Sequence, residues 1–98
     1  MFEIVKRKHL GDLIIYLQKN YGLYFVEFRQ APNGKDAIVL CNPNNKDWWI
    51  NIFLTNRFIV DVNPACTGDI PKSQIEQQIR NKEYLGAGDK FVGKWLKL

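Results

Sequence analysis

Few side chains in this sequence could do chemistry at neutral pH. His9 is the single histidine, and general-base or nucleophilic work would need it poised beside a reacting partner. It sits instead in the basic run Lys6-Arg7-Lys8-His9, the setting of an exposed histidine near an N-terminus. Cys41 and Cys66 are too few and too far apart for a zinc ribbon or a redox dithiol motif, and neither adjoins a histidine. Both are expected to be free thiols, Cys41 buried on a strand between apolar neighbours and Cys66 exposed in a glycine-containing loop.

Asp36, Asp47, Asp61 and Asp69 are the carboxylates that could gather around a metal ion. Each lies beside a turn signal or on an alternating strand, where carboxylates cap or face water, so no metal site is assigned. Gly86-Ala87-Gly88 shares two glycines with a phosphate loop, but no strand leads into it and no Gly-Lys-Ser/Thr follows. It reads as a helix stop. No catalytic residue and no cofactor site is assigned, and the expectation is a protein that is not an enzyme.

The residues that stand out are aromatic, and their placement depends on the elements that carry them. Leu10, Leu13, Ile14, Leu17 and Tyr21 recur at helical spacing, which predicts a helix over about His9 to Tyr21, ended by Gly22 and followed by the apolar Leu23. Leu23 to Gln30 alternates as a strand, with Tyr24, Val26 and Phe28 on one face and Phe25, Glu27 and Arg29 on the other. Ala31-Pro32-Asn33-Gly34 follows as a turn. Further strands are predicted at Asp36 to Cys41, Trp48 to Leu54 and Arg57 to Val62, with Asn42 to Asp47 a polar loop around Pro43. A three-residue connection pairing Leu54 with Phe58 puts Trp48, Ile50, Ile52 and Leu54 on one face with Phe58, Val60 and Val62.

Pro71 opens a second helix reaching about Tyr84, with Ile75 and Ile79 on one face. Asp89 caps a short amphipathic segment in which Phe91, Val92, Trp95, Leu96 and Leu98 are apolar and Lys90, Lys94 and Lys97 basic. The predicted fold class is α+β: a four-stranded antiparallel meander with an N-terminal and a C-terminal helix, in the order αββββα plus the C-terminal segment.

Composition bounds this reading. A chain of 98 residues suits one domain, and its 46% hydrophobic and 24% charged residues fit a folded globular protein. No apolar run approaches the roughly 18 residues that cross a bilayer. The basic cluster Lys6-Arg7-Lys8 follows Met1-Phe2-Glu3-Ile4-Val5, whereas a secretory signal places charge first and a long apolar stretch after it, so a cytoplasmic protein is expected. The net charge of +4 aids solubility without amounting to a nucleic-acid signature.

If one sheet face packs beneath the helices, the other displays Phe25, Arg29, Trp49, Phe53 and Arg57, together with Glu27, Asn51, Ile59 and Asp61. Aromatic and arginine side chains are enriched at interfaces, so this face is the expected protein-binding site, unless the C-terminal segment covers it as a second core. The expected function is a non-enzymatic protein-binding module. An inhibitor or adaptor of a larger complex fits by analogy of size with small phage and mobile-element proteins, and the partner is another protein or a second copy. The alternative is a single-stranded nucleic-acid-binding protein using Lys6, Arg7, Lys8, Lys90, Lys94 and Lys97 with the sheet aromatics. It ranks second because Glu27 and Asp61 offset Arg29 and Arg57 on the face.

Overall fold

Alternating apolar residues build an antiparallel sheet of five strands in the computed structural model, which describes residues 3–30, 36–67 and 71–88. The strands are β1 (Glu3–Lys6), β2 (Tyr24–Gln30), β3 (Asp36–Asn42), β4 (Asn45–Leu54) and β5 (Ile59–Pro64). Their spatial order is β1-β5-β4-β3-β2. β2 to β5 form the expected meander, and the α+β class holds. The strand count is corrected from four to five: β1 pairs with β5, setting Val5 opposite Val60 and Ile4 opposite Asp61. With 4 residues, β1 is too short for alternation to identify it, and it owes its place to β5.

Residues directly opposite on neighbouring strands share a face. Ile38, Ile52 and Val62 form one inward row, and Leu40, Ile50 and Pro64 the next. Two helices cover them. α1 (Leu10–Tyr21) follows a 3-10 turn at Arg7–His9 and buries Leu13 and Leu17, while α2 (Pro71–Arg80) starts with Pro71 and buries Ile75 and Ile79 one turn apart. These residues join Val5, Leu23, Val60, Cys66 and Tyr84 in one hydrophobic core. Each fully buried Leu or Ile contributes roughly 1.5–3 kcal/mol through lost water contact.

α1 is tied at both of its ends to α2 and the turn that follows it. The Tyr21 hydroxyl donates to the Gln78 side chain at one end. At the other, the Asp12 carboxylate accepts the backbone N–H groups of Gly86 (3.2 Å) and Gly88 (3.1 Å). A Cβ at position 88 would stand 2.7 Å from Asp12 Oδ1, so a side chain there would displace this carboxylate.

Several boundaries differ from expectation for local reasons. α2 ends at Arg80, because the chain turns over residues 81–86 with Lys82 at φ 58° and Gly86 at φ 76°; Tyr84 nevertheless reaches the core. Asn42 to Asp47 is a tight hairpin: Asn42 pairs with Asn45, and the Asn42 and Asn45 side chains accept the N–H groups of Asn44 and Asp47. Phe53 lies opposite Asp61, which puts Leu54 opposite Val60, two positions from the expected partner. A shift of two preserves the faces, so the inward set of β4 stands as expected; Phe58, however, lies outside β5 and is exposed.

The turn from α1 into β2 is constrained by a left-handed glycine and a side-chain hydrogen bond. Gly22 sits at φ 63°, its N–H bonded to Gln18 O, and Leu23 N–H reaches Leu17 O. Asn42 Nδ2 donates to Tyr21 O (2.8 Å), and a Cβ on Gly22 would lie 3.3 Å from that same nitrogen. Gly22→Ala combines left-handed strain with this crowding and should destabilise by about 1–3 kcal/mol. Asn42→Ala should cost about 1 kcal/mol through one lost hydrogen bond. Urea unfolding should show lower midpoints at unchanged slope, with Gly22→Ala the more affected; equal midpoints for Gly22→Ala and the parent would refute this account of the turn.

Candidate functional site

The sheet face turned away from the helices is read off the strand register. One row crosses all five strands: Arg29, Ala37, Phe53, Asp61 and Ile4. The next holds Glu27, Val39, Asn51 and Asn63, and a third Tyr24, Cys41 and Trp49. Of the expected protein-binding residues, Trp49, Phe53 and Arg29 therefore share this face. Trp49 and Phe53 are half-buried, with Ala37 and Val39 buried on the strand beside them. Arg29 Nη2 lies 2.5 Å from Glu27 Oε1, so its charge is already compensated.

Two members of the expected set belong elsewhere. Phe25 lies opposite Leu40 and is on the helix side, because the register shifts between Phe25 and Glu27 and leaves Val26 as the extra residue of a bulge. The same shift turns Tyr24 onto the open face, against the expectation that it packs beneath the helices. Arg57 is no sheet residue; it stands in the β4–β5 connection with its guanidinium 5.6 Å from the centroid of the Phe58 ring.

β2 is an apolar strand exposed along its whole length. All seven of its residues are exposed, including Tyr24 (48%), Phe25 (60%), Val26 (57%) and Phe28 (48%). Among the described residues β2 pairs with β3 alone, so it forms one edge of the sheet. Strand alternation predicts three of these four, Tyr24, Val26 and Phe28, on the buried face. A strand apolar on both faces ordinarily lies inside a sheet, and nothing local says that this one is at the rim.

A second cluster forms at the opposite edge. Lys6, Arg7 and Lys8 of the expected basic set lie beside Arg57, Phe58 and Ile59 around a hollow of ≈ 330 Å³. Arg7 fixes this corner: its N–H donates to Phe58 O (2.6 Å) and its Nη1 to Asn56 O (3.0 Å). The Asn56 side chain accepts the Phe58 N–H (2.8 Å), which sets the loop as an Asx turn. Lys90, Lys94 and Lys97, with Phe91, Val92, Trp95 and Leu96, lie outside the described residues.

Both thiols are free; Cys66 is buried, against the expectation of an exposed loop residue, and Cys41 is half-buried. Cys66 is drawn under the sheet end because Ala65 N–H bonds to Trp49 O and Thr67 N–H to Asp47 O, continuing strand-like pairing into the supposed loop. His9 packs near Tyr84, at 6.5 Å between ring centroids, with Nδ1 4.0 Å from Asp12. Among the described residues no three His, Cys, Asp or Glu side chains gather as metal ligands, and no helix is long and apolar enough to cross a membrane. No family model, curated protein or solved structure matches this chain.

Burial raises the Cys66 thiol, although the Trp49 carbonyl and Lys72 oppose it, and pushes the Tyr21 phenol up to about 12, with Tyr16 adding to the effect. Tyr16 and Tyr84 are raised by burial as well. Such acids keep their protons after the unfolded chain has released them. Their contribution is whole below the ordinary values, 9.0 for the thiol and 10.0 for the phenol, and is lost as pH rises toward the folded values. The urea midpoint should therefore hold near neutrality and fall above pH 9.0, with Tyr21→Phe falling less steeply. A midpoint flat across that range would contradict it. A thiol-reactive disulfide reagent at neutral pH should label Cys41 first and Cys66 only slowly until urea is added, since the thiolate is the attacking species.

Proposed function

We propose that this chain is a non-enzymatic protein-binding module that docks its partner on the aromatic edge of the sheet at β2, with the neighbouring Trp49–Phe53 face extending the contact. The observation that carries this reading is the complete exposure of a seven-residue edge strand bearing Tyr24, Phe25, Val26 and Phe28. Folded proteins blunt such edges with charge, proline or a covering element, and a long apolar edge invites an added strand. Strand addition supplies affinity through main-chain hydrogen bonds and specificity through alternate side chains, and β2 presents rings to both faces. The Glu27–Arg29 pair gives the edge polar register marks without net charge, which suits a protein partner better than a polyanion.

The test is a co-purification from nuclease-treated native lysate, comparing the parent with Phe25→Lys/Phe28→Lys. Both side chains are exposed, so the variant should stay within about 1 kcal/mol of the parent in urea unfolding. It should lose the protein species that the parent retains at stoichiometric amounts, or lose self-association by sedimentation if the partner is a second copy. Retention of the same species by a folded double variant would end this reading and move the working surface away from β2.

A further inference from the structure

We infer that the corner formed by β1, the 3-10 turn and the β4–β5 connection is a second binding site, for single-stranded nucleic acid. In the sequence, the basic run at residues 6–8 and Arg57 lie some fifty positions apart and neither suffices for a polyanion. The fold brings them together. Two adjoining hollows share Lys6 and Ile59; one is completed by Arg7, Lys8, Arg57 and Phe58, the other by Ile4, His9, Lys82, Tyr84 and Leu85. Lys6, Arg7, Lys8, Arg57 and Lys82 thus line two adjoining hollows whose described lining residues include no carboxylate, the adjacent acids being Asp61 opposite Ile4 and Asp12 at 4.0 Å from His9. This contrasts with the open sheet face, where Arg29 is engaged by Glu27. A local surplus of cations is what a phosphate backbone requires.

The aromatic component favours a single strand over an acidic protein. Phe58 is 71% exposed, the most exposed large apolar side chain described, and Arg57 lies over its ring. An exposed ring and a guanidinium plane flanked by phosphate-binding cations form a stacking platform for unpaired bases, whereas an acidic polypeptide would use the cations and leave Phe58 in water. The platform is held in advance of binding, since Arg7 anchors Asn56 and Phe58 through two hydrogen bonds and Asn56 closes its own turn. A site ordered before its ligand arrives loses less conformational freedom on binding. This inference is independent of the β2 reading, because the two surfaces occupy opposite edges of the sheet.

Fluorescence anisotropy of the full chain with labelled oligothymidylate and oligouridylate tests it. Binding should weaken with salt, with a log–log slope of about −2 to −3 for three or four phosphate contacts. Arg57→Glu and Lys8→Glu, both exposed, should each weaken binding roughly tenfold or more at low salt while leaving the thermal melt in place. Phe58→Ala should weaken it about tenfold with the slope unchanged, the signature of lost stacking rather than lost charge. Lys72→Glu, at the other end of the sheet beside Cys66, should change it by less than about threefold. Phe25→Lys/Phe28→Lys should bind the oligonucleotides no more weakly than the parent. Absence of salt-sensitive binding by the parent, or indifference to both charge reversals, overturns the site. Equal competition by polyglutamate combined with no effect of Phe58→Ala also overturns it, and assigns the corner to an acidic protein.

Discussion

The traverse of α1 across the sheet governs the rest of the architecture. β1 is one edge strand and β2 the other, so the chain must cross the full width of the sheet between them. Five strands at 4.7–4.9 Å spacing span about 19 Å. A helix of 12 residues is about 18 Å long. One helix of this length leaves the β1 edge, buries Leu13 and Leu17 in the core, and delivers the chain to the far edge at Gly22. From there the meander can only return toward β1, which makes β5 its partner. The left-handed turn at Gly22, tied to Asn42 of the next hairpin, fixes where that return begins.

This arrangement explains why the two candidate surfaces differ in character. The β2 edge is reached directly from the C-terminal end of α1, and all seven of its residues are exposed. At the other edge, the basic residues that end β1 and begin the 3-10 turn meet the hairpin connection between β4 and β5. An apolar strand and a cationic corner are therefore held apart by the width of one rigid sheet. The titratable groups that burial perturbs, Cys66 and the tyrosines Tyr16, Tyr21 and Tyr84, belong to the packing of the helices and core.

Local patterns carried much of the fold. The stripe of Leu10, Leu13, Ile14, Leu17 and Tyr21, stopped by Gly22, identified α1 to within a residue. Alternation placed Ile50, Ile52, Val60 and Val62 inward because a register error of two leaves faces unchanged. What was not legible depends on neighbours in space. The Val26 bulge reverses Phe25 and Tyr24, and a bulge has no composition signal in a strand this rich in aromatics. Strand order is equally silent, so Tyr24-Phe25-Val26-Glu27-Phe28 could have been a central strand. Cys66 and Phe58 exchanged their expected exposures because each lies where hydrogen bonding, to Trp49 in one case and from Arg7 in the other, extends or cuts short a strand. Trp49 and Phe53 were placed together correctly, since β4 carries no bulge between them.

β1 has a consequence in time as well as in space. Its backbone partners lie at residues 59–62, and Asp12 finds its own at residues 86 and 88. During synthesis from the N-terminus, β1 therefore emerges without a mate and waits while α1 and three strands are made. Closing contacts of such separation is slow, because the entropy of the intervening loop is lost before any pairing offsets it. The β2–β3–β4 hairpins need only local contacts and can form first, on a ribosome still holding the rest. The cationic corner, which needs Arg7 to reach Asn56 and Phe58, then comes into being only at the end, as a mark that the sheet has closed.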